Sequence, residues 1–231
     1  MNIVPTVMIK NEEAWIRDVL APLVGLFDHV IVTDTGSTDS TLDILDVWEE
    51  RYYPKMIVSR MGTQTPRGLS ETRRAQNVQA RQVGYEYSLL VDGDEIYSRR
   101  GLESILATPI PEGTLLGYTA ALSIDIDEEG RFWELADLYS RQALTRTDVL
   151  WHGDYPFEAP AVYATKEGTA HSIYFPTPPD DRYHYVHVHR LTRSPQDDQV
   201  RMRLQKQKLF SLQAVEIPRT LPFDLEAWRA A

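Results

Sequence analysis

Apolar positions change period repeatedly along the first hundred residues. Residues 3–9 form a strand-like run, and from 12 to about 26 Trp15, Val19, Leu20 and Leu23 recur at helical spacing. Pro22 is expected to shorten or kink that helix. A second apolar run at 29–34 ends in Asp34, and 40 to about 51 reads as a helix with Leu42, Leu45 and Trp48 inward. Its start, Ser40-x-x-Asp43, approximates a capping box. A short strand at 56–59 follows, then a polar loop holding Gly62, Pro66 and Gly68, and a polar, weakly amphipathic helix at 70–83. A strand at 88–91 and a helix from about 100 to 106 complete the series. Such alternation predicts a largely parallel sheet with right-handed crossovers.

Beyond Pro109 the pattern changes to short β-like runs at 115–126, 132–139, 149–151, 161–164 and 183–188, separated by turn residues. That texture predicts mixed or antiparallel sheet with long functional loops. From 196 to about 213 it turns helical and basic, with Arg201, Arg203, Lys206 and Lys208 among Met202, Leu204, Leu209 and Phe210. The expected fold class is therefore α/β. A mostly parallel central sheet is flanked by helices, with a mixed, β-rich second half and a C-terminal helix. One domain is expected over 1–192, its halves meeting near 108, with 193–231 as a helical appendage.

Composition narrows the function. A chain of 231 residues, 42% hydrophobic, suffices for one sizeable core. The formal net charge of −10 argues against a surface built to grip nucleic acid phosphates. With no cysteine there are neither disulfides nor thiolate metal ligands. The first nine residues lack a basic leading region and are broken by Pro5, so they read as a strand rather than a signal peptide. No later segment approaches the ~20 apolar residues that span a bilayer. A soluble, cytoplasmic protein is the expectation.

Candidate chemistry lies in two acidic clusters at strand ends, Asp34-Thr-Gly-Ser-Thr-Asp39 and Asp92-Gly-Asp94-Glu95. Carboxylates there fall on the carboxyl edge of the sheet, where open α/β folds bind ligands. If the two strands are parallel neighbours, the clusters line one crevice. Asp92 and Asp94 can reach one hard cation together, or divide between a cation and a ribose. The same tripeptide also makes an ordinary turn. Asp34 can meet a nucleobase or ribose where Gly36 lets the backbone approach, or simply end a strand before an N-cap at Asp39 or Ser40.

Four segments in register then resemble a known family. Met8-Ile-Lys-Asn-Glu-Glu13, Val30-Ile-Val-Thr-Asp-Thr-Gly-Ser-Thr-Asp39, Ala75-Gln-Asn77 and Asp92-Gly-Asp-Glu95, with Asn77 fifteen residues before Asp92, look like a family 2 glycosyltransferase of the GT-A fold. The resemblance covers roughly residues 1 to 97. It implies a nucleotide-sugar donor of the UDP or GDP type, held by Asn11, Glu13, Asp34, Asn77 and Asp92 in the 1–108 half. It also implies Mn²⁺ or Mg²⁺ at the Asp-x-Asp motif, with Asp94 as direct ligand and Asp92 on the ribose or a metal-bound water. Many relatives have Arg where Gln76 stands, and a second Asp where Thr35 stands.

In the 109–192 half, Trp151-His-Gly-Asp-Tyr-Pro-Phe-Glu158 resembles a segment that ends in His-Glu in relatives, here with Phe157 for the histidine. Glu158 is thus a candidate general base for an acceptor hydroxyl and Asp154 its rival; either is equally readable as a solvated loop acid. Tyr183-His-Tyr-Val-His-Val-His-Arg190 places His187 and His189 on one side of a strand and His184 on the other. Similar enzymes often complete the metal site with a late histidine, here His187 and then His189. The acceptor is a carbohydrate or another hydroxyl-bearing molecule. A nucleotidyltransferase and a non-catalytic sugar- or partner-binding domain are the rival readings. The first usually has a glycine-rich loop after strand one, where this chain has Lys10-Asn-Glu-Glu13.

Overall fold

The computed structural model describes residues 2–126, 132–135, 139–152, 159–161, 172–179, 183–188 and 214–216. Four parallel strands form its centre: β1 (Ile3–Ile9), β2 (Val30–Asp34), β3 (Met56–Arg60) and β4 (Tyr87–Asp92). They lie in the order β4-β1-β2-β3. Helices α1 (Ile16–Leu26), α2 (Thr41–Tyr52), α3 (Pro66–Gln82) and α4 (Arg99–Ala107) connect and flank them. Right-handed crossovers put α1 and α2 on one face, and α3 returns across the other as the chain passes from β3 back to β4.

The two faces differ in chemistry. Val7, Ile9, Val30, Val32, Leu89 and Val91 pack with Ile16, Val19, Leu20, Leu23, Ile44 and Leu45 in the main core. Each fully buried leucine there contributes about 2 kcal/mol. Under α3, Val4, Ile31 and Ala80 make a small apolar cluster with the partly buried Ile57 and Tyr85. Polar residues are buried on the same face: Thr6, Thr33, Arg73, Gln76 and Asn77.

The sheet continues through antiparallel strands. After β5 (Glu95–Tyr97) come β6 (Leu116–Ile126), β7 (Phe132–Leu135) and β8 (Tyr139–Arg146), and β8 joins β4 to β6. A two-stranded unit, β9 (Leu150–His152) with β10 (Ala159–Ala161), packs on α3 through β9. Strands β11 (Ser172–Tyr174) and β12 (Tyr185–His187) add to β6, β12 also pairing β5, while β13 (Ala214–Glu216) pairs β7. A parallel first half and a mixed second half match the expectation.

Several local expectations need correction. β2 and β4 are not neighbours, because β1 lies between them. Helix α3 begins at Pro66 instead of residue 70: Thr65 accepts a hydrogen bond from the Gly68 amide at 3.1 Å, and proline suits the first helical turn. Ser40 makes no side-chain cap; the Asp39 carboxylate accepts from the Thr41 amide at 3.0 Å instead. Helix α1 starts at Ile16 and continues through Pro22 to Leu26. The expected 132–139 run holds all of β7 and the first residue of β8, a strand with no counterpart in the apolar pattern. The expected helix at 196–213 lies outside the described residues.

Candidate functional site

The loops after β1 and β2 are stitched to each other. Asn11, in a left-handed conformation at φ 55°, donates its amide to Ser37 Oγ at 2.9 Å and accepts from the Thr38 amide at 2.8 Å. The Glu13 carboxylate accepts from the Ser40 amide at 2.9 Å. Asp34 is 1% exposed and accepts from the Gly36 and Ser37 amides, at 2.9 and 3.0 Å, and from Ser37 Oγ. Asp34, Asn11 and Glu13 therefore form one rigid wall at the carboxyl edge. Thr35 donates its hydroxyl to the Ile9 carbonyl at 2.9 Å, a bond no carboxylate can donate.

Side-chain alternation sets the clusters apart. Asp34 is in register with Ile9 of the main core and so projects on the α1–α2 face, whereas Asp92 meets Arg73 of α3 on the other. Between them, the turn Asp92-Gly93-Asp94 sits tightly against β1. A Cβ at Gly93 would lie 2.7 Å from both Ile9 Cγ2 and Glu12 Cγ. Glycine is thus required for the close approach, and its amide donates to the Met8 carbonyl at 3.0 Å.

Asp92 is held by two guanidiniums. One oxygen pairs with Arg73 and the other with Arg141 Nη2 at 2.6 Å. Arg141, from β8, also pairs with Glu95, which in turn accepts from the Asp92 amide at 2.9 Å. Burial pushes the Asp92 carboxyl up, but Arg141 and Arg73 outweigh it and hold it below the usual carboxylate range. Arg73 is itself braced by Gln76, whose Oε1 accepts from Arg73 Nη1 at 3.3 Å while its Nε2 donates to the Val7 carbonyl at 2.8 Å. Gln76 thus positions an arginine one turn away.

Asp94 faces a different partner. Its Oδ2 lies 3.3 Å from His187 Nε2, brought there because β12 pairs β5 and the Val188 amide donates to the Asp94 carbonyl at 2.9 Å. An oxygen and an imidazole nitrogen at that separation suit a divalent cation such as Mn²⁺. Among the described residues no group of three or more His, Cys, Asp or Glu stands together as a metal site. Asn77, 2% exposed, donates to the Val149 carbonyl at 3.4 Å just ahead of β9, and its Oδ1 has no hydrogen-bond partner among the described residues. Asp154, Glu158 and His189 lie outside the described residues.

The model for glycosyl transferase family 2 matches residues 6–159, from within β1 to the first residue of β10. The chain belongs to glycosyl transferase family 2. Its mixed α/β sheet and flanking helices are the GT-A type of fold, with Asp34 and Asp92 at the carboxyl ends of β2 and β4. No curated protein matches the chain significantly. Among solved structures, fragment 1–349 of S. aureus TarS is 19% identical with a TM-score of 0.42, over 66% of this chain and 50% of that one. The same fragment in complex with UDP is 20% identical with a TM-score of 0.38, over 52% and 40%. The chain spans about half the length of the TarS fragment.

Arg73 and Arg141 are the site residues that the family motifs did not single out. Their one sequence signal is cationic residues in otherwise polar segments, which equally describes a solvated helix or strand face. Gln76 and Thr35 are both tied to the backbone of β1, through the Val7 and Ile9 carbonyls. No described helix is long and apolar enough to cross a membrane.

Proposed function

We propose that this chain is a metal-dependent glycosyltransferase domain that moves a sugar from a nucleotide-diphosphate donor, of the UDP or GDP type, to an acceptor hydroxyl. The observation that carries the reading is the family match across β1 to β9, with Asp94 and His187 converging at the carboxyl edge where its Asp-x-Asp motif stands. The wall of Asn11, Glu13 and Asp34 orders the nucleoside side of the crevice, acting chiefly through the backbone it fixes. Asn77 and Asp92 serve the same donor half from the α3 face. The proposed setting is a soluble one, in the cytoplasm.

Asp94 and His187 would hold Mn²⁺ or Mg²⁺, and donor phosphate oxygens would fill further positions, as these hard cations prefer. Once bound, the cation supplies Lewis-acid stabilisation of the departing diphosphate. The chain's own residues do the rest. Arg73 and Arg141 keep Asp92 ionised and fixed, and the stitched loops keep bulk water from the nucleoside side. Glu158, with Asp154 as rival, takes the proton of the acceptor hydroxyl as it attacks the anomeric carbon. Attack from the face opposite the leaving diphosphate inverts that centre.

Glu158→Gln is expected to lower sugar transfer by at least about 100-fold with donor affinity within about threefold of native. Initial rates and donor titration calorimetry measure the two quantities. Retained transfer would shift the base to Asp154. Donor binding without turnover, across a broad panel of acceptors, would instead favour a binding domain of the same fold.

A further inference from the structure

We propose that Arg141 is a positioning residue that closes Asp92 to the metal, so that the cation of the donor site is drawn to Asp94 and His187 and not to Asp92. The inference rests on the proposed metal-dependent function and deepens it. Both Asp92 oxygens are taken by guanidiniums, one from α3 and one from β8. Arg73 is 4% exposed and braced by Gln76 and the Thr6 carbonyl, so it belongs to the fixed interior of the α3 face. Arg141, 23% exposed, spans Asp92 and Glu95 and stands at the crevice itself.

The local charge balance explains what this arrangement achieves. Asp92 and Glu95 are matched by Arg73 and Arg141, and Glu12 lies directly behind Gly93. Without Arg141 the Asp92 oxygen that Arg73 does not hold would join Asp94 in facing the cation, and a second carboxylate oxygen would bind it more tightly. A cation held that strongly would leave the turn poorly suited to releasing a diphosphate product. Arg141 also enters from the second half of the chain, so the seating of the strand between β4 and β6 sets the ligand count of the metal site. A register shift lies just beyond it in β8, opposite the Gly117–Tyr118 step, and bulges of this kind re-aim side chains beside functional sites.

The test is titration of the full chain with Mn²⁺ alone, read by electron paramagnetic resonance of the free ion. Arg141→Met is expected to tighten Mn²⁺ binding at least about tenfold, because it removes a positive charge beside the site and frees the Asp92 oxygen that Arg73 does not hold. Arg141→Lys should restore affinity to within about threefold of native, and Asp94→Asn should weaken it by at least about tenfold. The charge-neutral double variant Arg141→Met with Asp92→Asn should bind within about threefold of native, since the pair leaves as a unit. Unchanged or weaker binding by folded Arg141→Met overturns the proposal, as does a native chain that does not bind Mn²⁺. If Arg141→Met does not fold, the double variant decides: a loss as large as that of Asp94→Asn would make Asp92 a ligand and sink the idea. Turnover does not enter this readout, so a native chain that binds Mn²⁺ as described but transfers no sugar would contradict the proposed function only.

Discussion

Ser37 serves two partners at once, donating its hydroxyl to Asp34 and accepting the Asn11 amide at 2.9 Å. Ser37→Ala strands that buried amide and one carboxylate oxygen together, and urea unfolding should show a loss of about 1–3 kcal/mol. Gly93→Ala is expected to be worse for function than for folding, because the turn must move away from Ile9 and Glu12 and carries Asp94 with it. Mn²⁺ affinity should fall at least about tenfold, in line with a ligand displaced by a few tenths of an ångström or more. At this scale the sequence singled out candidate acids but not what they touch. Asp34, Asn11 and Glu13 stand out by motif, yet their bonds run into each other's loops, a pairing that depends on β1 and β2 lying side by side. Arg73 and Arg141 were not legible, because no local pattern separates a guanidinium aimed inward from one aimed at solvent.

Helix α3 shows how a polar segment becomes an interior element. Its inward residues Arg73, Gln76 and Asn77 find Asp92, the Val7 carbonyl and the Val149 carbonyl, so weak amphipathicity does not mean exposure. Its Thr65 cap is the start that Pro66 and Gly68 disguised as loop, and Thr65→Ala should cost about 1 kcal/mol in thermal or urea unfolding. Strand β8 escaped detection for a related reason: Ser140, Gln142 and Thr145 break the apolar alternation, and only pairing between β4 and β6 makes it a strand. The entry to β12 carries a pH dependence. His184 is fully buried; its Nδ1 accepts from the Ala120 amide and its Nε2–H donates to the Pro176 carbonyl, both at 3.1 Å. Burial lowers its pKa, with the bond to Pro176 only partly opposing. The unfolded chain therefore takes up a proton first as pH falls. This contribution to stability is complete above the ordinary imidazole value of about 6.5 and is lost as pH drops from there towards the lowered folded value. The melting temperature should fall between pH 7.5 and 5.5, and His184→Gln should flatten that dependence.

For the whole molecule, alternating strand and helix patterns in the first half made the parallel core legible, and four motifs in register gave the family. Strand order was not legible: β1 separates β2 from β4, and the two acidic clusters project on opposite faces of the sheet, at either side of the β1 loop. The second half was harder because its strands are short and are completed by partners far along the chain, as β12 is by β5 and β6. That same long-range pairing brings His187 to Asp94, so the proposed metal pair exists only in the assembled fold. The central claim is that this assembled edge transfers sugar from a nucleotide donor with a cation held at Asp94. The most direct measurement is release of nucleoside diphosphate from a panel of UDP- and GDP-sugars with mixed acceptors, with Mn²⁺ or with chelator, for the native chain and Asp94→Asn. Release with at least one donor, lowered at least about 100-fold both by chelator and by Asp94→Asn, is the expected result. Release that survives both, or no release from any donor by the folded native chain, would contradict the account.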